Sequence, residues 1–485
     1  MKMGKENKVD TPDDFYNAVK TDFKLANDLD NGRKAMVEAR TRYLPMEPGE
    51  KKKPKTYDVR LNRTDFYPGF SECLDDLTGA VFKKNIILED ATKEQQAHSE
   101  NVDLQGNNLS VFSKSLFRNA EKYSITYFLV EHPVVPAGSS LHEERRIGAR
   151  PYWREVTPPN LIYLFADIVN GQQTLMEIRI KETIITQEGF INAKTDQIRR
   201  YIQDLDENGQ PFQVRWEVYK KKKDKDEYAD EPENKGLLNP MKRIPLVPVY
   251  TKPSGFFRGK WRLEHCAWLN VIHWQSSSDQ RNILRVVRCP ILAHAGFFKK
   301  LDKDIEISPN THQGTTNPDG KMWWVEHSGA AIDAGAKDLE NLKHEMSQVG
   351  KNMAIKKTGS ITATEAGINT AQSQSELQSD AKSLEDAIEN GYILNGEWTS
   401  DSAPAPKART NTDFGLLESD AGNNTVLLKS CEAGKLSNRT YLTELKRRNQ
   451  LAESVDIDDE LELIRIEQAT AWLGGDEDDE DKEIE

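Results

Sequence analysis

The residues best suited to chemistry are few, and their spacing does not favour catalysis. His265 and His273 lie in WRLEHCAWLNVIHW with Cys266 beside the first. Imidazole and thiolate are good metal ligands, but ligands on one helix stand three or four residues apart, and these histidines are eight apart. The four cysteines, Cys73, Cys266, Cys289 and Cys431, form no CxxC, so neither a zinc site nor a disulfide framework is signalled. Phosphate or dinucleotide chemistry would need GxxxxGK[ST] or GxGxxG, and hydrolysis GxSxG or HExxH; the chain has none of these. Asp75-Asp76 and Asp458-Asp459 read as solvated faces or helix starts. The sequence therefore predicts no catalytic residue, no metal and no cofactor, and gives a hydrolase or nuclease little support.

What remains is a loop, Lys356-Lys357-Thr358-Gly359-Ser360 with Thr362 just beyond. Two lysines beside small residues suit a transient contact with a phosphate backbone. From the residues alone, they suit better an ordinary helix–helix turn whose basic residues complement a helix C-terminus.

The elements that hold this loop are legible from periodicity. Before it, Leu339, Leu342, Met346, Val349 and Met353 fall at steps of three and four, one apolar stripe on KDLENLKHEMSQVGKNM. After it, Leu377, Ala381, Leu384, Ile388 and Tyr392 do the same. A further helix opens the stretch at Arg262. There Leu263, Ala267, Val271 and Trp274 make a stripe that QSSSDQRN interrupts. That polar waist fits a face turned to a partner subunit or a water-filled channel, and the whole also fits a helical hairpin inside one core. Between the first two helices, from Cys289 to about Ala334, CPILAHAGF and KMWWVEHSGAAI predict two short strands flanking a polar loop. Trp323 and Trp324 then point to opposite faces, so one of them can mark a contact surface while the other packs inward.

Composition bounds the rest. A chain of 485 residues fits two to four domains at roughly 150 residues each. Its net charge of −13 argues against nonspecific nucleic-acid binding, though an acidic wall lets DNA slide past. MKMGKENKVD has no apolar core of a signal peptide, and no apolar run reaches the roughly 18 residues of a membrane span, so a cytoplasmic chain is expected. Thr11-Pro12-Asp13-Asp14 reads as a capped helix start, and a second helix fits Gly32 to Arg42. KKKPK (51–55) reads as a surface loop. Phe70, Leu74, Leu77 and Val81 share one helical face, as do Leu109, Phe112, Leu116, Ala120 and Tyr123. SITYFLVEHP, YWREVT, NLIYLFADI, LMEIRIKETII and a hairpin turning at Asn208-Gly209 read as antiparallel strands. Residues 1–250 are thus an α+β unit. The lysines at 220–223 read as an exposed strand end, with a nucleic-acid patch as the alternative. DSAPAPKART reads as a linker and TDFGLLES as a returning strand. C-terminal helices follow, with Ser437 or Asn438 as a cap, and eight acids in the last ten residues predict a disordered tail.

The ordered set resembles the portal (connector) proteins of tailed bacteriophages. It consists of IPLVPVY leading into WLNVIHWQSSSDQRNILRVVRCPIL, then VEHSGAAIDAGAKDLENLKHEMSQVGKNM, then ITATEAGINTAQSQSELQSDAKSLEDAIENG, and finally LLKSCEAGKLSNRTYLTELKRRNQL before DDELELIRIE. The resemblance covers most of residues 60–470 and contains no catalytic motif. It implies an α+β portal fold. An α/β wing would span 1–255, stem helices 256–288 and 335–354, and a small β-rich clip 289–334. A tunnel loop at 355–366 would face DNA through Lys356, Lys357, Thr358, Gly359, Ser360 and Thr362. A long wing helix and returning strand would span 367–420, crown helices 421–473 and an acidic tail 474–485. Leu339, Leu342, Met346, Val349 and Met353 would pack the stem, and Trp323 and Trp324 would meet the clip's partner. The implied assembly is a ring, typically of twelve copies, at one capsid vertex of the virion, built in the host cytoplasm. Its partners would be double-stranded DNA, a terminase motor, a head–tail adaptor, and the major capsid and scaffolding proteins. Two other readings stay open: another virion component, such as a head–tail adaptor or minor capsid protein, and a cytosolic enzyme with a cleft of convergent titratable groups.

Overall fold

The computed structural model describes residues 8–133, 148–222, 227–288, 291–295, 318–325, 329–351, 363–412, 421–447, 451 and 455–473. The chain divides into two compact units, Met1–Thr412 and Asp413–Glu485.

The first unit begins with α1 (Asp14–Asp30), α2 (Arg33–Ala39), α3 (Pro48–Lys52), α4 (Pro54–Arg63) and α5 (Gly69–Val81); a short strand β1 (Ile87–Glu89), α6 (Lys93–Ser99) and α7 (Leu109–Tyr123) follow. The α1 cap is Asp13, not Thr11: its carboxylate accepts from the Tyr16 N–H at 2.6 Å. KKKPK is not a loop. It straddles the end of α3 and the start of α4, because Pro54 has the φ a first helical turn needs and Glu50 is held by Arg60 at 2.8 Å. The predicted faces of α5 and α7 are buried throughout, from Phe70 to Val81 and from Leu109 to Tyr123.

Two antiparallel sheets follow. β2 (Ile125–Glu131) lies between β3 (Tyr152–Val156) and β9 (Leu246–Tyr250), and β4 (Leu161–Val169), β5 (Gln172–Glu188), β6 (Ile191–Leu205), β7 (Pro211–Lys220) and β8 (Asn234–Leu237) form a meander. The two sheets share one core, in which Tyr127, Leu129 and Val156 meet Leu164, Ile178, Tyr201 and Val214. Every residue of β2 is buried, because the meander covers one face and α7 the other; this is why its sequence is a continuous apolar run rather than an alternation. The β6–β7 turn is built as its sequence predicts: Asp206 accepts from the N–H groups of Asn208 and Gln210, and Gly209 takes φ +74°.

After two short strands, β10 (Pro253–Gly255) and β11 (Arg258–Gly259), comes α8 (Glu264–Val287). Strands β12 (Ile291–Ala295) and β13 (Lys321–Val325) then pair antiparallel, with Leu292 opposite Trp324 and Ala293 opposite Trp323. Next are α9 (Ala330–Lys351) and the 37-residue α10 (Ala363–Thr399). α9 begins seven residues before Lys337, since AAIDAGA is alanine-rich and Gly329, at φ +77°, provides the turn into it. The expected linker DSAPAPKART contains a strand, β14 (Lys407–Arg409), which pairs with β1. The strand expected over TDFGLLES lies outside the described residues from Asp413 onward.

The second unit holds α11 (Ala421–Glu432), α12 (Asn438–Arg447) and α13 (Ile457–Leu473). Ser437 caps α12, its hydroxyl accepting from the Thr440 N–H at 3.2 Å. The acidic tail, 474–485, lies outside the described residues.

Candidate functional site

The α8–α9 pair is the organising feature, and its root is a buried ion cluster. Arg262, one residue pair ahead of α8, donates to Asp380 on α10 at 2.6 Å and to Glu121 on α7. Its own backbone N–H donates to the Ser124 hydroxyl at 2.7 Å, and the Trp261 indole donates to the Lys122 carbonyl at 2.9 Å. Gly259 permits this close approach; a Cβ there would stand 2.8 Å from the Ser124 carbonyl oxygen. Two carboxylates therefore face one guanidinium in the interior. Burial, then repulsion from Glu121, pushes the Asp380 carboxyl up to about 7 against the pull of Arg262. Burial raises Glu121 as well.

Several polar side chains along α8, in its waist and just before it, are bonded to the body of the chain. Asn270 accepts from the Phe70 N–H and donates to the Tyr67 carbonyl, both at 2.9 Å. Gln275 donates to the Tyr43 carbonyl, Ser278 accepts from Arg60, and Gln280 donates to the Ile332 carbonyl of α9. Gly335 lets α9 close on Gln280, whose Oε1 would collide with an added Cβ. Thus α8 is sutured to α4, α5 and α9 along its first four turns. Only from Arg281 onward do most of its described side chains reach solvent.

The apolar stripe of α9 divides. Leu342 and Met346 are buried, and the Met346 thioether lies 2.8 Å from where a Cβ on Gly69 of α5 would sit. Leu339 is half-buried, Val349 is exposed, and Met353 lies outside the described residues. Trp268 and Ile272, one turn apart on α8, stand 48% and 44% exposed. This apolar strip was missed by sequence reasoning; steps of four from Trp268 on the side away from Leu263 and Ala267 are the signal that could have found it. Trp323 is also exposed on β13. Lys356, Lys357, Thr358, Gly359, Ser360 and Thr362 lie outside the described residues.

The chemically attractive residues do not converge. His265 is exposed at the start of α8. His273 is buried against the Tyr67 ring at 5.4 Å, neither ring nitrogen has a hydrogen-bond partner, and burial followed by Lys343 lowers its pKa. Cys266 on α8 and Cys73 on α5 are both buried free thiols, and the neighbouring Cys266 thiol, then burial, pushes the Cys73 thiol up. No group of three His, Cys, Asp or Glu among the described residues could hold a metal, and no described helix is long and apolar enough to cross a membrane.

Residues 262–399 match the family model described as a domain of unknown function, DUF4055. That span runs from the clamp residue Arg262 to the last residue of α10, and is less than half the chain. No curated protein matches the chain. Among solved structures, a chain from the neck of an empty GTA particle is similar at a TM-score of 0.42 and 13% identity, over 80% of this chain and 93% of that one. A chain from the virion of a native gene transfer agent particle is similar at 0.40 and 12%, over 80% and 92%.

Proposed function

We propose that this chain is a non-catalytic virion component of the phage type, and specifically a portal subunit. Copies would close into a ring, with twelve as the expected number, and double-stranded DNA would pass through its channel during packaging and ejection. The observation that carries the reading is the helix, strand pair, helix and long helix series from α8 to α10. In it the antiparallel pair β12 and β13 falls in chain order between two contacting helices, and the root of that helix pair is bound into the body by Arg262. On this reading α8 and α9 form the stem, β12 and β13 belong to the clip that docks a terminase motor and later a head–tail adaptor, and 355–366 is the DNA-facing loop. The helices from 421 onward form the crown. The exposed Trp268–Ile272 strip supports the reading, because an apolar strip on an otherwise embedded helix is surface that a neighbour would cover.

The test is electron microscopy of the purified chain with native mass spectrometry. Rings of about twelve copies, with an axial hole of roughly 20 Å or more, are expected. The chain's charge of −13 means that copies repel, so ring closure should improve as salt rises. A species that stays monomeric across salt concentrations would sink the proposal.

A further inference from the structure

The longest ribbon of the meander outruns its neighbours. β4 pairs with β5 only from Gln172 to Ile180, and β7 pairs with β6 only from Gln197 onward. Beyond them, from Ile184 opposite Thr195 to Glu188 opposite Ile191, β5 and β6 pair only with each other among the described residues. Two strands alone are marginal in water. Yet the end of this ribbon is apolar: Phe190 is fully exposed, Ile191 73% and Ile185 62%. The five residues from Gly189 to Ala193 carry no charge.

The root of the same ribbon holds the opposite shape. A cleft of about 770 Å³ opens there, its floor made by the core residues Leu175, Ile244, Leu246 and Phe257 with Phe256 beside them, and its rim polar, with Lys242 and the Arg243–Glu397 ion pair. The ribbon cannot fill its own cleft. Leu175 and Glu188 are thirteen residues apart on one extended strand, about 44 Å at roughly 3.4 Å per residue. An apolar knob and a cleft with an apolar floor and a polar rim are therefore on one chain, at places that cannot meet in one copy.

We propose that the Phe190 tip of each copy seats in the Leu175–Phe257 cleft of the next. Such a contact is heterologous: each copy gives one knob and receives one, and repetition of the same rotation closes a ring. An uncharged tip suits subunits that repel through a net charge of −13 each, and Phe190 laid against the partly buried Phe256 ring, itself packed on Phe257 at 4.7 Å, gains an aromatic ring contact. The proposal rests on the ring reading for closure, though not for the contact itself.

The experiment uses the full chain with p-benzoylphenylalanine in place of Phe190, irradiated and mapped by peptide mass spectrometry, alongside Phe190→Ser. Cross-links from position 190 to residues 240–246 or 256–257 of another copy are expected. Phe190→Ser should cut the ring fraction about tenfold, the scale of a hot-spot side chain, with an unchanged melting temperature of the monomer. Wild-type rings whose position 190 links elsewhere, or Phe190→Ser rings as abundant as wild type, would overturn the contact and leave the ring standing. Head-to-tail dimers linked at the cleft without rings would keep the contact and remove the ring. A monomer with no such link removes both.

Discussion

Two buried ion clusters use the same residue types and behave oppositely. At the root of α8, Arg262 stands alone between Glu121 and Asp380. Between the two sheets, Arg154 and Arg199 together serve Glu131 and Glu182, and the hydroxyls of Tyr201 and Tyr152 donate to Glu131 at 2.8 and 3.0 Å. Burial pushes the carboxyls of Glu121, Asp380 and Glu131 up. At Glu131 the charge of Arg154 and its hydrogen bond, then Arg199 and Tyr201, overcome that push and hold it near 2. At Asp380 a second carboxylate adds to burial, and the single guanidinium does not compensate. The ratio of cations to carboxylates, not burial, decides the sign.

The strongest way to break this contrast is Arg262→Met. It strands two carboxylates in the interior, and should lower unfolding free energy by about 3–5 kcal/mol at pH 8. Much of the loss should return at pH 5, where both carboxyls can hold protons. Urea unfolding at the two pH values checks this, and an equal loss at both would mean that Arg262 matters for packing alone.

Glu131→Gln should cost less, about 2–3 kcal/mol at neutral pH, because Glu182 still faces both arginines. Its signature is in acid. A carboxyl held near 2 when folded contributes stability above its ordinary pKa and loses it as pH falls towards 2. The variant should therefore lose stability less steeply than wild type between about pH 4 and 2, as followed by melting temperature.

Asp380→Asn sharpens the other side. A carboxyl raised to about 7 keeps its proton in the folded chain while the unfolded chain releases it, so its contribution is present near pH 4 and is lost as pH rises towards 7. The variant should flatten stability over that window. An unchanged slope would show that Asp380 is not the group responsible.

The smallest effect is expected outside both clusters. Arg281 and Asp65 pair at 3.0 Å on the surface, and Arg281→Ala should change stability by less than about 1 kcal/mol at any pH. A large loss in thermal unfolding would place the C-terminal end of α8 inside the cooperative body.

Much of the fold was legible because one face of each element is buried against a flat or cylindrical neighbour. The stripes of α5, α7 and α10 and the Asn208-Gly209 turn are local patterns, and burial rewards them directly. KKKPK and DSAPAPKART were misread for the converse reason. Glu50 finds Arg60, and β14 finds β1 over three hundred residues away; no local pattern announces either partner. The waist of α8 was legible as polar but not as bonded.

By itself, the sequence determined the main helices and the antiparallel strands, the faces they bury, the absence of the familiar catalytic motifs, and the acidic charge. Those follow from periodicity and composition, which any short window contains. Only the tertiary structure decided that Arg262 joins α7 to α10, that Cys73 meets Cys266, and that Gln280 closes on a glycine of α9. It also decided which apolar residues were left outside: Trp268 and Ile272 on α8, and Phe190 at the end of a ribbon too long to reach its own cleft. Exposure is a property of what the rest of the chain fails to cover, and only the packed chain fixes that.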